Sequence, residues 1–209
     1  NGGVLNGVPI VNNGVDVPQY WATINTGTKL AALPNWPGTA TCRVMRPFMN
    51  YMFAFDVTKS GTRYPHRVKW SHPADPGTVP TSWDETDATK DAGEFDLEGA
   101  SFVVDALPLG NALIIYKQNS AHICTFAGAG SIFNFRMLFS NYGMLGPDCG
   151  VEIDGSHYVL TQSDVIRHDA ADVRAQPFHE IPIIIRPRRI AVHHHDRLIA
   201  RAFVEITHR

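Results

Sequence analysis

Three groups of side chains in this sequence carry the chemistry that a site needs, and their spacing decides what each can do. His193-His194-His195-Asp196 offers imidazole and carboxylate ligands suited to zinc or nickel. In a strand, successive side chains point to opposite faces, so at most His193 and His195 share one ion; the plainer reading is a solvated cluster. His122 and Cys124 are two residues apart and share a face if strand-borne, which permits a thiolate–imidazole pair. The plainer reading there is two packing residues in an apolar strand. Cys42 and Cys149 are distant from Cys124, no CxxC occurs, and the total of three is odd. All three read as small buried hydrophobes in a reducing compartment. The third group is acidic: residues 71–98 hold Asp75, Asp84, Glu85, Asp87, Asp91, Glu94, Asp96 and Glu98 against the single lysine Lys90. They lack the DxDxDG spacing that wraps one calcium, so a solvated loop is expected.

The common catalytic signatures are missing. There is no GxSxG and no GxxxxGK[ST]. The glycine-rich stretch Phe126-Ala127-Gly128-Ala129-Gly130-Ser131 has no lysine to hold a phosphate. Asp75-Pro76-Gly77-Thr78 with Trp83 loosely resembles the Asp-box turn of sialidase propellers but lacks its serine and its closely spaced tryptophan. Trp70, Trp83 and Tyr64 are able to stack on sugars, although core or turn packing is the commoner use of such residues. Paired carboxylates of a glycoside hydrolase are a spatial feature that spacing does not reveal. The expectation is a protein that is not an enzyme, with no catalytic, cofactor-binding or metal-binding residues and no cofactor.

The elements that must carry these residues are short strands. One pattern recurs: a turn pair, an apolar run, a polar turn and a second run. It begins at Asn6-Gly7 with Val8–Val11 and Val15–Trp21, and again at Met49-Asn50 with Tyr51–Phe55 and His66–Trp70. It returns at Gly110-Asn111 with Ala112–Tyr116 and Ala121–Phe126, and at Asp154-Gly155 with His157–Leu160 and Asp164–Ile166. β-branched and aromatic runs bounded by Asn, Gly, Asp and Ser read as hairpins. The first runs are apolar throughout, as strands covered on both faces should be. Their centres, Ile10, Phe53, Leu113 and Val159, lie 43, 60 and 46 residues apart. Two of these spacings match the roughly 40–50-residue period of propeller blades, and the acidic stretch explains the third as a surface insertion. The fold class expected is all-β, antiparallel hairpin repeats forming a β-propeller or part of one. The domain is expected to span 1–170, with the 71–98 acidic surface insertion.

Residues 171–209 differ in composition. They hold seven of the 18 basic residues, all arginine, and five of the ten histidines, with no glycine. Ile181–Ile185 and Leu198–Ile206 read as edge strands; the segment is either a basic docking edge or a non-native continuation. The chain starts at Asn1 without a leader pattern, which suggests a fragment or a processed product. No stretch approaches the roughly 18–20 apolar residues of a membrane helix, so no membrane span is expected. With 44% hydrophobic and 18% charged residues a sizeable core is possible. A formal charge of −2 argues against electrostatic capture of nucleic acid by the chain as a whole.

Several long strings resemble a known family: VPIVNNGVDVPQYW (Val8–Trp21), YPHRVKWSHPADPGTVPTSWDETDATKDAGEFDL (Tyr64–Leu97), LPLGNALIIYK (Leu107–Lys117) and LFSNYGMLGPDCGVEIDGSHYVLTQSDVIRHD (Leu138–Asp169). They are similar to tail proteins of short-tailed bacteriophages, of the tail nozzle or tail-tube type, over about three quarters of the chain. The resemblance implies a largely β virion structural protein of the tail, made in the host cytoplasm and containing a propeller. It implies assembly with other copies in a ring beside neighbouring tail or portal proteins. DNA would pass through that ring without sequence-specific binding. An acidic insertion suits a lumen that must not hold phosphate. Two other functions fit the residues: a host-saccharide receptor-binding tail module, and a propeller glycan hydrolase.

Overall fold

A computed structural model of the chain describes residues 1–25, 27–128, 130–171 and 173–176, the last of these as backbone. The segment 177–209 lies outside the described residues. It contains Ile181–Ile185, Leu198–Ile206 and the His193-His194-His195-Asp196 cluster.

Among the described residues the fold is all-β, with no helix and so none long and apolar enough to cross a membrane. Four antiparallel sheets of four strands follow one another along the chain. The first holds β1 (Gly2–Leu5), β2 (Val8–Val11), β3 (Gln19–Tyr20) and β4 (Ala31–Ala32). The second holds β5 (Thr41–Phe48), β6 (Tyr51–Lys59), β7 (Thr62–Trp70) and β8 (Gly93–Asp96). The third holds β9 (Val103–Leu109), β10 (Ala112–Lys117), β11 (Ser120–Phe126) and β12 (Phe133–Ser140). The fourth holds β13 (Gly150–Ile153), β14 (Ser156–Leu160), β15 (Val165–His168) and β16 (Val173–Gln176). In every sheet the strands pair in sequence order, an up-and-down meander. β16 carries the β-rich region past residue 170.

The hairpins read from sequence are the central two strands of each sheet. The run expected at Val15–Trp21 forms a strand only at Gln19–Tyr20. Ahead of it, Asn13 Oδ1 accepts from the backbone N–H of Val15 and Asp16, folding that stretch into a turn. The turn pair ahead of each hairpin joins the first strand to the second. Its first residue has the same left-handed backbone in every sheet, with φ of 49° at Asn6, 52° at Met49, 57° at Gly110 and 49° at Asp154. Asparagine, glycine and aspartate tolerate that conformation, whereas methionine is strained in it.

Side-chain alternation explains why the sheets stack. On β6, Phe53 and Phe55 face the third sheet and meet Leu113, Ile115 and Cys124. Met52 and Ala54 face the first sheet and meet Leu5, Ile10 and Trp36. The pairing shifts between Phe55 and Val57, and this bulge turns Val57 to the first-sheet side. On β10, Ile114 and Tyr116 face Val159 and Ile166 of the fourth sheet. The second and third sheets are therefore buried on both faces, as their unbroken apolar runs require. Val4 and Val11 on the first sheet, and Val151 and Ile153 on the fourth, point away from these seams and are exposed. The first strands also meet: β1 lies against β5, β5 against β9 and β9 against β13.

Truncating Phe53, fully buried among Phe48, Phe55, Trp70 and Phe133, should cost about 3–5 kcal/mol as Phe53→Ala in urea denaturation. Val11→Ser on the open face should stay within about 0.5 kcal/mol. Met49→Gly should stabilise the fold by about 0.5–1 kcal/mol, because the left-handed strain exceeds the entropy that glycine loses.

Candidate functional site

The residues that sequence singles out for chemistry are dispersed, and most serve as structure. Cys42 and Cys124 are free and buried, and burial pushes both thiols well above their ordinary range. Cys149 is free, half-buried and also raised, mainly by burial. His122 and Cys124 do share the face of β11 toward the second sheet. Both ring nitrogens of His122 nevertheless lack a hydrogen-bond partner among the described residues, so no thiolate–imidazole pair forms. Burial and then the charge of Lys117 lower this imidazole to about 4, leaving it neutral. Trp83 and Trp70 are 1% and 8% exposed, so neither presents a sugar-stacking face. Trp83 packs edge-on to Trp36 at 4.7 Å, and the Trp70 indole N–H donates to the Asp91 carbonyl. Tyr64 is covered by the Arg67 guanidinium, 3.9 Å from its ring centre.

The 71–98 segment is more than a surface loop. It supplies β8, sends Trp83, Ala74 and Leu97 into the core, and pairs part of its charge with the second sheet. Glu85 accepts from Lys59 and from the buried Lys69, each at 2.5 Å. Its burial opposes ionisation, but these two ammonium groups prevail and hold the carboxyl down at about 2. Arg67 pairs with both Glu94 and Asp96 at 2.8 Å. Asp84 and Asp87 close short turns by accepting from Thr86 and Thr89, which lowers both carboxyls.

The densest polar arrangement lies where the first strands meet, and residue spacing does not reveal it. Arg46 on β5 binds Asp105 on β9 through two parallel bonds of 2.8 Å, from Nε and Nη2. Nη2 also reaches Asp148, just ahead of β13, at 2.7 Å, and Nη1 donates to the Gly2 carbonyl of β1 at 3.2 Å. Asp105 is 1% exposed and accepts further from the Asp148 and Ala106 N–H groups. Burial works against the Arg46 charge, yet Asp105 and Asp148 outweigh it and raise the guanidinium above its ordinary value. One side chain thus links the first three sheets and the residue that leads into the fourth.

Beside this junction is a cleft of about 400 Å³ lined by Asn13, Gly14, Arg43, Phe102, Leu145 and Pro147 among others. Arg43 and Arg63 both stack on Phe102 and both pair with Asp56, whose side chain is fully buried at the β6 bulge. The cleft contains no nucleophile beside a base, and among the described residues no three His, Cys, Asp or Glu groups come close enough to hold a metal ion. Its charged groups pair within the second sheet and reach the segment ahead of β9 through Phe102.

A second buried polar chain spans the third and fourth sheets. Tyr116 Oη lies 2.7 Å from His157 Nδ1 and 2.5 Å from His168 Nε2, and His157 Nε2 lies 2.8 Å from the Pro108 carbonyl. Burial lowers both imidazoles, His168 to about 4, and raises the tyrosine.

No protein-family model matches the chain, and no curated protein is similar enough to it to count as a relative.

Arg46→Ala leaves Asp105 buried and uncompensated, and should cost about 3–5 kcal/mol by denaturant unfolding. Removing both partners in Arg46→Ala/Asp105→Ala should cost clearly less than the sum of the single changes, because the orphaned charge goes with its partner. Additive losses would show that the pair does not act as a unit.

Proposed function

We propose that this chain is a structural module of a short-tailed phage tail, of the tail nozzle type, and that its four sheets are consecutive blades of a β-propeller. The observation that carries the reading is that the four first strands lie side by side, β1 on β5, β5 on β9 and β9 on β13, with Arg46 tying the first three and the lead-in to the fourth. Four-stranded meanders stacked face to face, with their first strands at a common inner edge, are how propeller blades are arranged. The strings from Val8 to Asp169 that resemble nozzle proteins supply the tail assignment.

A conduit wall must be rigid and chemically inert, and the polar groups of this chain suit that role. Asp56, Asp105, Lys69 and Tyr116 are each buried and each tied to a partner, on another strand or, for Lys69, in the 71–98 segment. Copies of the chain would form a ring next to other tail or portal proteins in the virion, with DNA passing through and no base being read. Asp75, Asp84, Asp87 and Glu98 form no ion pair among the described residues, and they leave the 71–98 segment net acidic after its pairings. That sign disfavours retention of phosphate. The burial of Trp70 and Trp83 removes the aromatic platform on which a saccharide-binding role would rest.

The reading is tested by mass in solution together with electron microscopy of the full chain. Ring-shaped particles of several copies are expected at about 10 μM, a concentration at which a specific interface of standard size holds. A stable monomer at that concentration would overturn the assembly reading. Saturable binding on a glycan array would replace it with the receptor-binding alternative.

A further inference from the structure

We propose that Tyr116, His157 and His168 form an acid-sensitive latch, which holds the fourth sheet on the third at neutral pH and loosens it when the histidines take up protons. The partners determine where every proton sits. The Pro108 carbonyl can only accept, so His157 carries its proton on Nε2 and its Nδ1 is bare. That bare nitrogen accepts from the Tyr116 hydroxyl. The tyrosine oxygen, its one proton spent, must accept from His168, which is therefore protonated on Nε2. His168 Nδ1 is then bare and accepts the Ala170 N–H at 3.3 Å. The result is one directed chain from Ala170 through His168, Tyr116 and His157 to Pro108, with every donor matched to an acceptor and both rings neutral.

An added proton has no place in this chain. On His157 it goes to Nδ1; the tyrosine then faces two N–H donors and its own hydroxyl proton loses its acceptor. On His168 it goes to Nδ1, against the Ala170 N–H. All three side chains are buried: Tyr116 and His157 at 0% exposure and His168 at 1%. An unmatched donor there carries its full desolvation cost. The two rings stand 5.4 Å apart, so charging both adds repulsion.

Each element packed against the rings presents a group to them. β9 gives the Pro108 carbonyl, β10 the Tyr116 phenol and β12 the Phe139 ring, 5.1 Å from His168. Glu152 on β13 favours charge on His157, and Asp169 after β15 favours it on His168. Neither carboxylate outweighs burial, and both imidazoles remain below their ordinary value. The docked state therefore binds protons less well than the released one. The contribution of the latch is complete above about pH 6.5, the ordinary imidazole value, and declines as pH falls toward about 4.

The test follows amide hydrogen exchange in the full chain, corrected for intrinsic rates, from about pH 7.5 to about 4.5, together with nitrogen NMR of the histidines. Protection of β14 and β15 should fall at least about tenfold more than protection of β6 and β7, as expected for a shift of one pKa unit or more. In His168→Gln, which keeps an amide donor toward Tyr116 but does not titrate in this range, that excess should shrink. The NMR spectra should show both rings neutral and protonated on Nε2 at the upper pH. A ring that titrates at its ordinary value, or carries its proton on Nδ1, would overturn the latch, as would an undiminished loss in His168→Gln. The wild-type spectra decide the matter even where the variant does not fold.

Discussion

Asp105 is a carboxylate in the interior, and the fold is arranged so that it never lacks a countercharge. Its two oxygens receive Arg46 bidentately and two backbone N–H groups besides. A buried pair of this kind adds little net stability over an apolar pair of the same shape, because desolvation offsets most of the attraction. Its value lies in geometry. The guanidinium is planar and its donors are fixed in a fork, so meeting Asp105, Asp148 and the Gly2 carbonyl together restricts how β1, β9 and the lead-in to β13 sit around β5. Apolar seams are non-directional and tolerate sliding, whereas this junction does not.

The same division of labour recurs away from the junction. Aromatic and branched side chains fill the seams: Phe53, Phe55 and Trp70 with Phe133 between the second and third sheets, Trp36 with Trp83 beneath the first. Buried polar groups form ties beside these seams. Asp56 does so with Arg43 and Arg63 over Phe102, Lys69 with Glu85, and Tyr116 with His157 and His168. Groups that could be reactive in isolation are consumed in these ties or silenced by burial, as the thiols of Cys42 and Cys124 are.

Much of this was legible in the residues. The apolar runs at Tyr51–Phe55 and Ala112–Tyr116 announced strands buried on both faces, and paired runs around polar turns announced the central hairpins, whereas the strands ahead of Asn6-Gly7 and Asp154-Gly155 were not read. The outer strands were harder to read. β8 hides in an acidic stretch because edge strands tolerate charge, and its Glu94 and Asp96 are neutralised by Arg67 from the neighbouring strand. Trp83 has polar sequence neighbours, and its place beside Trp36, 47 residues earlier in the chain, is set by no local pattern.

The sequence by itself determined the local grammar: which runs extend, where they turn, and that the unit repeats. These follow from short-range sterics and from the two-residue alternation of strands, which adjacent residues already encode. Tertiary structure alone decided which charges meet. Arg46, Asp105 and Asp148 are separated by 59 and 43 residues, and Tyr116 stands 41 and 52 residues from its two histidines. No local pattern links them, because their encounter depends on sheet stacking, and stacking is set by the summed burial of faces rather than by any one stretch of chain.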